Sequence, residues 1–269
     1  IRLTYSKKIF IIVGYNMRKN IDLSNIPVLI FCGGKGIRIR ELRPFIPKPL
    51  IKIGNKPLVK HIIDLYRNYG CRKFYLLTGY KYNSFVSEFK NKKSIKTNKV
   101  FKTSYKNAEV KIINTGLNSN TGQRLKKIKS LLENDIFFLT YGDAVSNVNI
   151  KKLLNLHLKL KKIITLTGVY PPSRFGNLRL NKHIVTEFNE KPIITKNLVN
   201  GGFFVCNKSI FNFLQSSQKN LNFEKDVLSE LAKKKLISCF KHKGIWAAVD
   251  HRRDYENILK LWHSNKFIF

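Results

Sequence analysis

The chain has 269 residues, 43% of them hydrophobic and 12% aromatic, enough for a full hydrophobic core and outside the range of disordered or low-complexity chains. No window offers the roughly 18 consecutive apolar residues that a membrane-spanning helix needs, so a soluble globular protein is expected. Against 16 acidic residues stand 51 Lys and Arg, a formal net charge of +35. That balance suits a nucleic-acid partner, yet the lysines are spread among Asn, Ile and Phe over nearly every segment, the pattern of drift in codon usage. On either reading, anionic ligands are favoured.

Residues 1–25 form an N-terminal extension whose apolar patch, Ile9 to Val13, is too short for a secretory signal. Met17 is the only methionine, and translation is expected to start there, leaving residues 1–16 untranslated. From Ile26 onward a single domain, 26–269, alternates apolar runs with amphipathic stretches, the pattern of an α/β fold. Val28 to Cys32 reads as a buried strand ending in glycines. Pro57 to Tyr69 reads as a helix, with Leu58, Ile62, Leu65 and Tyr66 at helical spacing between an opening proline and Gly70. Strands are expected at Lys73 to Thr78, Glu109 to Asn114, Ile136 to Thr140 and Ile163 to Val169. Helices are expected at Asn83 to Lys90, Gly122 to Leu132 and Ile150 to Leu160, and the lysine-rich stretch before Glu109 reads as a connector. This order predicts a mostly parallel sheet covered on both faces. Further on come a hairpin turning at Asn181 and Lys182, a strand at Gly202 to Cys206, helices at Lys208 to Leu214 and Glu224 to Lys234, a strand at Leu236 to Lys241 and a closing helix near Tyr255 to Trp262. The later strands are expected to add a small lid. Cys32, Cys71, Cys206 and Cys239 form no C-x-x-C pair, which argues against a zinc knuckle or a disulfide framework and for a reducing, cytoplasmic setting.

Several segments carry chemistry. Gly33-Gly34-Lys35-Gly36-Ile37-Arg38, directly after the first strand, lets backbone N–H groups approach an anion, with an arginine to clamp phosphate oxygens. It lacks the Gly-Lys-Ser/Thr ending of a P-loop and the third glycine of a dinucleotide fingerprint. Pro47-Lys48-Pro49 holds a lysine on a stiffened backbone. Thr121-Gly122-Gln123-Arg124 opens a helix whose N–H groups could face an anion. Thr140-Tyr141-Gly142-Asp143 puts a carboxylate at the C-terminal end of a strand, where ligands of open α/β sheets bind, and Asp250 has the same local setting. Two such oxygen ligands suit magnesium bridging phosphates. Glu190-Lys191-Pro192 and Asn200-Gly201-Gly202-Phe203 suggest a second anion site beside a close backbone approach. The six histidines form no evident metal-ligand cluster.

Taken in order, these motifs resemble the sugar nucleotidyltransferases. The stretches Thr140 to Ile150, Pro171 to Gly176 and Val199 to Val205 are most similar to the glucose-1-phosphate cytidylyltransferase branch. The resemblance runs from about Pro27 to the C-terminus. It implies a Rossmann-like three-layer fold of the nucleotide-diphospho-sugar transferase type and transfer of a cytidylyl group from CTP to glucose 1-phosphate with Mg2+, giving CDP-glucose for surface-polysaccharide biosynthesis. It implies that Gly33, Gly34, Gly36, Arg38 and Lys48 hold the nucleotide's phosphates, that Gly79, Tyr80, Thr121 and Arg124 lie near its base, and that Glu190, Lys191 and Asn200 bind the sugar phosphate. Asp143 and Asp250 would be the metal ligands, and Arg38, Lys48, Asp143 and Lys191 the residues acting on the reacting phosphates. A homo-oligomer is expected by the same analogy, with no membrane or nucleic-acid partner. Three positions depart from the pattern: Ile37 stands where threonine is usual, Asn114 where the branch tends to have aspartate, and Gln123 where glycine is usual. The alternatives are another NTP or sugar 1-phosphate, or, in a different class, a non-catalytic nucleic-acid- or sugar-nucleotide-binding protein.

Overall fold

The computed structural model describes residues 21–36, 46–171, 177–189, 197–214 and 220–264. Its strands are β1 (Val28–Phe31), β2 (Lys52–Ile53), β3 (Lys56–Pro57), β4 (Lys73–Thr78), β5 (Ile95–Lys96), β6 (Val100–Tyr105), β7 (Ala108–Asn114), β8 (Ile136–Tyr141), β9 (Ala144–Ser146), β10 (Ile164–Val169), β11 (Asn177–Asn181), β12 (Ile184–Asn189), β13 (Val199–Asn207), β14 (Ile237–His242) and β15 (Trp246–Ala248). Helices are α1 (Leu58–Asn68), α2 (Tyr82–Phe89), α3 (Thr121–Lys127), α4 (Ile150–Leu160), α5 (Ser229–Lys233) and α6 (Arg252–His263).

Among the described residues, nine strands make one sheet in the order β14-β10-β13-β8-β1-β4-β7-β6-β5. β1 pairs in parallel with β4 and β8, β4 with β7, and β10 with β14, whereas β13 and β6 run against their neighbours. The sheet is therefore mixed but mostly parallel, as the alternation of elements predicts. Residues of β1 alternate between two cores: Val28 and Ile30 pack on one face with α1, α4 and α6, and Leu29 and Phe31 on the other with α3 and α5. A strand buried on both faces must read as a continuous apolar run, which is why β1 was visible without periodicity. Tyr66 of α1 lies 5.3 Å from the ring of Phe138 and 6.3 Å from that of Phe203, which locks the helix over β8 and β13.

The differences from expectation have local causes. The lysine-rich connector contains β5 and β6; in β6, Phe101 and Thr103 are buried while Lys102 faces out, a short alternation masked by edge lysines. The helix expected over Gly122 to Leu132 stops at Lys127 and continues as a 3-10 turn, Lys129–Leu131. Lys208–Phe213 is 3-10 rather than α. Phe223–Leu228 takes the wider π form before α5 begins. β15 is the short apolar run before Asp250, and its partner β9 is a strand that the sequence pattern does not announce. The hairpin β11–β12 turns at Lys182, whose φ of 54° is left-handed. Lys81, Lys106, Lys161 and Lys235 are also left-handed, so lysine fills turn positions that usually favour Gly or Asn, which supports compositional drift as the origin of the charge. No helix among the described residues is long and apolar enough to cross a membrane.

Asp64 of α1 is almost fully buried, 4% exposed, and gathers three cations from separate elements: Lys56 at 2.5 Å, Arg67 at 3.1 Å and Lys106 at 3.2 Å. Burial by itself would raise its pKa, but the hydrogen bond and charge of Lys56, reinforced by Lys106, hold it below the ordinary carboxylate value. A depressed folded-state pKa gives stability that is present above the unfolded pKa, about 3.9, and lost as pH falls through the folded one. Asp64→Asn should therefore destabilise the protein by about 1–3 kcal/mol at pH 7, since its cations keep partial access to water. In urea denaturation the gap to wild type should narrow steadily as pH falls below the unfolded value; a gap that stays constant on acidification would contradict this account.

Candidate active site

The carboxyl ends of β1, β4, β7 and β8 lie side by side because these four strands are parallel neighbours. Residues Cys32 to Gly36 leave β1 there, and among the described residues no atom beyond its chain neighbours lies within 4 Å of where a side chain on Gly34 would begin. Beside this loop, β8 ends at Tyr141 and the Gly142 N–H donates to the Phe31 carbonyl at 3.0 Å. A side chain at position 142 would come within 2.8 Å of both Phe31 O and Pro49 Cγ. The missing side chain thus lets the 3-10 turn Lys48–Leu50 close onto the sheet, bringing Lys48 to Asp143.

Asp250 reaches the same place through β9 and β15. Trp246 pairs with Ser146 and Ala248 with Ala144, and the Val249 N–H donates to Asp143 O at 2.8 Å. Side chains pin the far end: Asn147 Oδ1 accepts from Ile245 N at 2.8 Å, and Ser146 Oγ donates to Ile245 O at 2.8 Å. The Asp250 N–H is held at 3.1 Å by Asp254, which also accepts from the His251 N–H at the start of α6. The result is a cation between two carboxylates: Lys48 Nζ lies 2.5 Å from Asp250 Oδ1 and 3.6 Å from Asp143 Oδ2. The Asp143 side chain keeps 34% of its surface open beside the strand ends, but the protein packed around it dominates. Burial raises its pKa above the ordinary value, Asp250 adds to the rise, and Lys48 opposes it.

A second network lies beside these strand ends. The Tyr141 hydroxyl donates to Glu224 Oε1 at 2.6 Å, Thr121 Oγ1 donates to Glu224 Oε2 at 2.8 Å, and Asn200 Nδ2 lies 3.4 Å from the Tyr141 oxygen. Trp246 Nε1 donates to Gly201 O at 2.8 Å, tying the Asn-Gly-Gly segment to β15. Sequence reasoning quoted Tyr141 within a motif but gave it no role, and it missed Glu224 and Trp246. In a chain with only 16 acidic residues each carboxylate is a signal, and Glu224 is one of them.

The structure therefore brings together Gly33, Gly34, Gly36, Lys48, Gly79, Asp143, Asn200 and Asp250 around the strand ends. The Thr121 to Arg124 segment is turned to another use. Its expected opening to an anion is filled from within: Gln123 N donates to Leu221 O at 3.2 Å, Thr121 is bonded to Glu224, and Arg124 is buried against backbone carbonyls. Arg38, Glu190 and Lys191, together with Ile37, lie outside the described residues.

The nucleotidyl transferase family model matches residues 27–263. The chain belongs to this family. It is 33% identical over 249 residues to the glucose-1-phosphate cytidylyltransferase of Salmonella typhimurium, covering 88% of this chain and 96% of that protein. It is 31% identical over 250 residues to a probable glucose-1-phosphate cytidylyltransferase of Bacillus subtilis, covering 90% and 98%. A solved structure of UDP-glucose pyrophosphorylase complexed with UDP-glucose has the same fold, with a TM-score of 0.65 at 18% identity over 89% of this chain and 98% of that one. The protein is thus a nucleotidyltransferase with the fold of the nucleotide-diphospho-sugar transferases.

The charge arrangement can be tested without substrate. Lys48→Met leaves two carboxylates facing each other and should raise the Asp143 pKa further. A carboxyl with a raised folded-state pKa binds its proton more tightly folded than unfolded, so its contribution to stability is lost as pH rises from the unfolded value through the folded one. The urea midpoint of the variant should fall further below wild type at pH 8 than at pH 4; equal gaps would show that Lys48 does not neutralise the pair.

Proposed function

We propose that the enzyme transfers a cytidylyl group from CTP to glucose 1-phosphate, releasing pyrophosphate. The observation that carries the chemistry is the cation held between Asp143 and Asp250 beside the open loop at Gly34. A sugar-phosphate oxygen, already ionised at neutral pH, attacks the α-phosphorus of the nucleotide, and the bond from that phosphorus to the bridging oxygen of the β-phosphate breaks. No general base is needed, and the catalytic demand is for alignment and charge neutralisation. In this reading Gly34 N–H and Lys48 meet the triphosphate, with Arg38 beside them, and Lys191, Glu190 and Asn200 hold the sugar phosphate.

Asp143 and Asp250 are the pair that would hold magnesium, and the donor set fits. Two hard carboxylate oxygens are what such an ion takes from protein when phosphates and water complete its shell, and no group of three or more His, Cys, Asp or Glu among the described residues offers a full cage. When bound, the ion supplies charge neutralisation at the phosphates. A cytoplasmic location accords with four free cysteines, and we keep a homo-oligomer as part of the proposal.

A second reading changes the pair and keeps the chemistry: another NTP or another sugar 1-phosphate. Family membership fixes the reaction type but not the base, and this reading is favoured by Asn114, where the cytidylyltransferase branch tends to have aspartate, and by Gln123, where glycine is usual. Asn114 Oδ1 accepts from Gly116 N at 3.0 Å and Gln123 Oε1 faces Asn120 N at 3.4 Å, so both side chains engage the loop and helix start at the edge of the site.

Pyrophosphate release with magnesium across CTP, UTP, dTTP, ATP and GTP, each paired with several sugar 1-phosphates, decides between the two. Turnover confined to CTP and glucose 1-phosphate supports the first reading, turnover with a different pair supports the second, and none with any pair leaves only the binding-protein alternatives. With the active pair, Asp143→Ala should lower kcat about 100-fold or more with the fold intact. Lys191→Ala should raise KM for the sugar phosphate far more than KM for the nucleotide; equal changes would remove Lys191 from the role given to it.

A further inference from the structure

Arg124 is an unusual group for its place. Only 4% exposed, it is surrounded by neutral acceptors: Nη1 faces Thr78 O at 2.8 Å, Thr115 Oγ1 at 2.6 Å and Gly116 O at 2.9 Å, and Nη2 faces Gly33 O at 3.0 Å. Among the described residues no carboxylate pairs with it. An arginine stays charged at any working pH, and a buried charge opposed only by dipoles is costly to keep. Room has been made for it all the same, because a side chain at Gly33 or at Gly79 would overlap the guanidinium. Three chain segments, those leaving β1, β4 and β7, thus converge on one planar cation.

We infer that Arg124 is a positioning residue for the nucleotide's phosphates, fixing the direction of the Gly34 N–H and setting an unneutralised positive charge beneath it. In a trans peptide the C=O and the next N–H point in opposite directions. Drawing the Gly33 carbonyl inward to Nη2, with Tyr80 N also donating to it at 3.4 Å, turns the Gly34 N–H away from the guanidinium, at a residue that no described side chain covers. An anion seated there meets a directed donor and, one peptide below, a fixed charge that needs no reorganisation when the ligand arrives. Arg124 does this without touching the ligand. Thr115 Oγ1 keeps the fork in place, since it accepts from Nη1 and donates to Thr78 O at 2.5 Å. Lys127 steadies the Thr115 carbonyl at 2.7 Å. The inference rests on the nucleotidyl-transfer reading, but it concerns phosphate binding and can be tested apart from turnover.

The test compares full-length wild type with Arg124→Met, Arg124→Lys and Thr115→Val. Its readouts are the KM of each substrate, binding of pyrophosphate alone by calorimetry, and the Gly34 amide signal by NMR. Arg124→Met should raise KM for the nucleotide and weaken pyrophosphate binding about 10- to 100-fold, the range of a charge-assisted hydrogen bond, while KM for the sugar phosphate moves less than about 3-fold. The Gly34 amide should shift on adding pyrophosphate to wild type and not to the variant. Arg124→Lys, which keeps the charge but cannot span three carbonyls, should recover part of the loss. Thr115→Val should give a smaller loss of the same kind, and it carries the test if Arg124→Met does not fold. Equal rises in both KM values, unaltered pyrophosphate binding in the Arg124→Met and Thr115→Val variants, or a Gly34 amide indifferent to pyrophosphate in wild type would each overturn the inference. If wild type turns over no substrate pair yet binds pyrophosphate, and Arg124→Met loses that binding, the functional reading fails and this one stands.

Discussion

Much of the site depends on the approach of Gly142 to the end of β1. The hydrogen bond from its N–H to the Phe31 carbonyl extends the β1–β8 pairing one step beyond the strand, and the missing side chain leaves room for Pro49. Lys48 then meets Asp143, while the Val249 N–H on the Asp143 carbonyl brings in Asp250. Each step is short-range, but the groups it joins come from three distant parts of the chain. A methyl group at position 142 would have to displace backbone or a proline ring, neither of which can rotate out of the way.

The sheet makes that junction possible. Parallel strands place their carboxyl ends on one edge, and with α1 on one face and α3 on the other, that edge is where backbone groups remain open to a ligand. The two antiparallel strands serve different ends. β13 inserts between β8 and β10 and carries the Asn-Gly-Gly segment to the end of β8, whereas β6 and β5 extend the sheet away from it. The core supplies rigidity, with Tyr66, Phe138 and Phe203 fixing α1 to the strands that end at the site.

What was legible in the sequence follows from the range of the interactions. The buried strands β1, β4 and β8 announce themselves as apolar runs, and a carboxylate just past such a run, Asp143, could be read as facing a ligand. The Thr121 to Arg124 segment shows the limit. A threonine, a glycine and an arginine at a helix start look like an anion site, and no local feature says that Glu224, over a hundred positions later, takes the threonine hydroxyl, or that three carbonyls take the guanidinium. Glycines mislead in the same way: Gly34 is open as a ligand-facing glycine should be, but Gly33 and Gly79 make space for a side chain of the protein itself. β9 has only three residues, too few for any period, and it exists through its pairing with β15, the short run before Asp250.

Lys48 and Asp250 stand 202 positions apart, and this separation bears on how the protein is made. During synthesis Lys48, the glycine loop and Asp143 leave the ribosome long before β15 does. The central strands β1, β4, β7 and β8 can assemble on the nascent chain, but the ion-paired triad cannot close until β15 has emerged and found β9. Until then the face of α1 that receives α6 stays uncovered, with His61 awaiting the indole of Trp262, whose ring centre ends 5.0 Å away. A chain stalled or clipped shortly before Ile245 would have most of the sheet and not the completed charge arrangement, which forms in one step only when β15 docks.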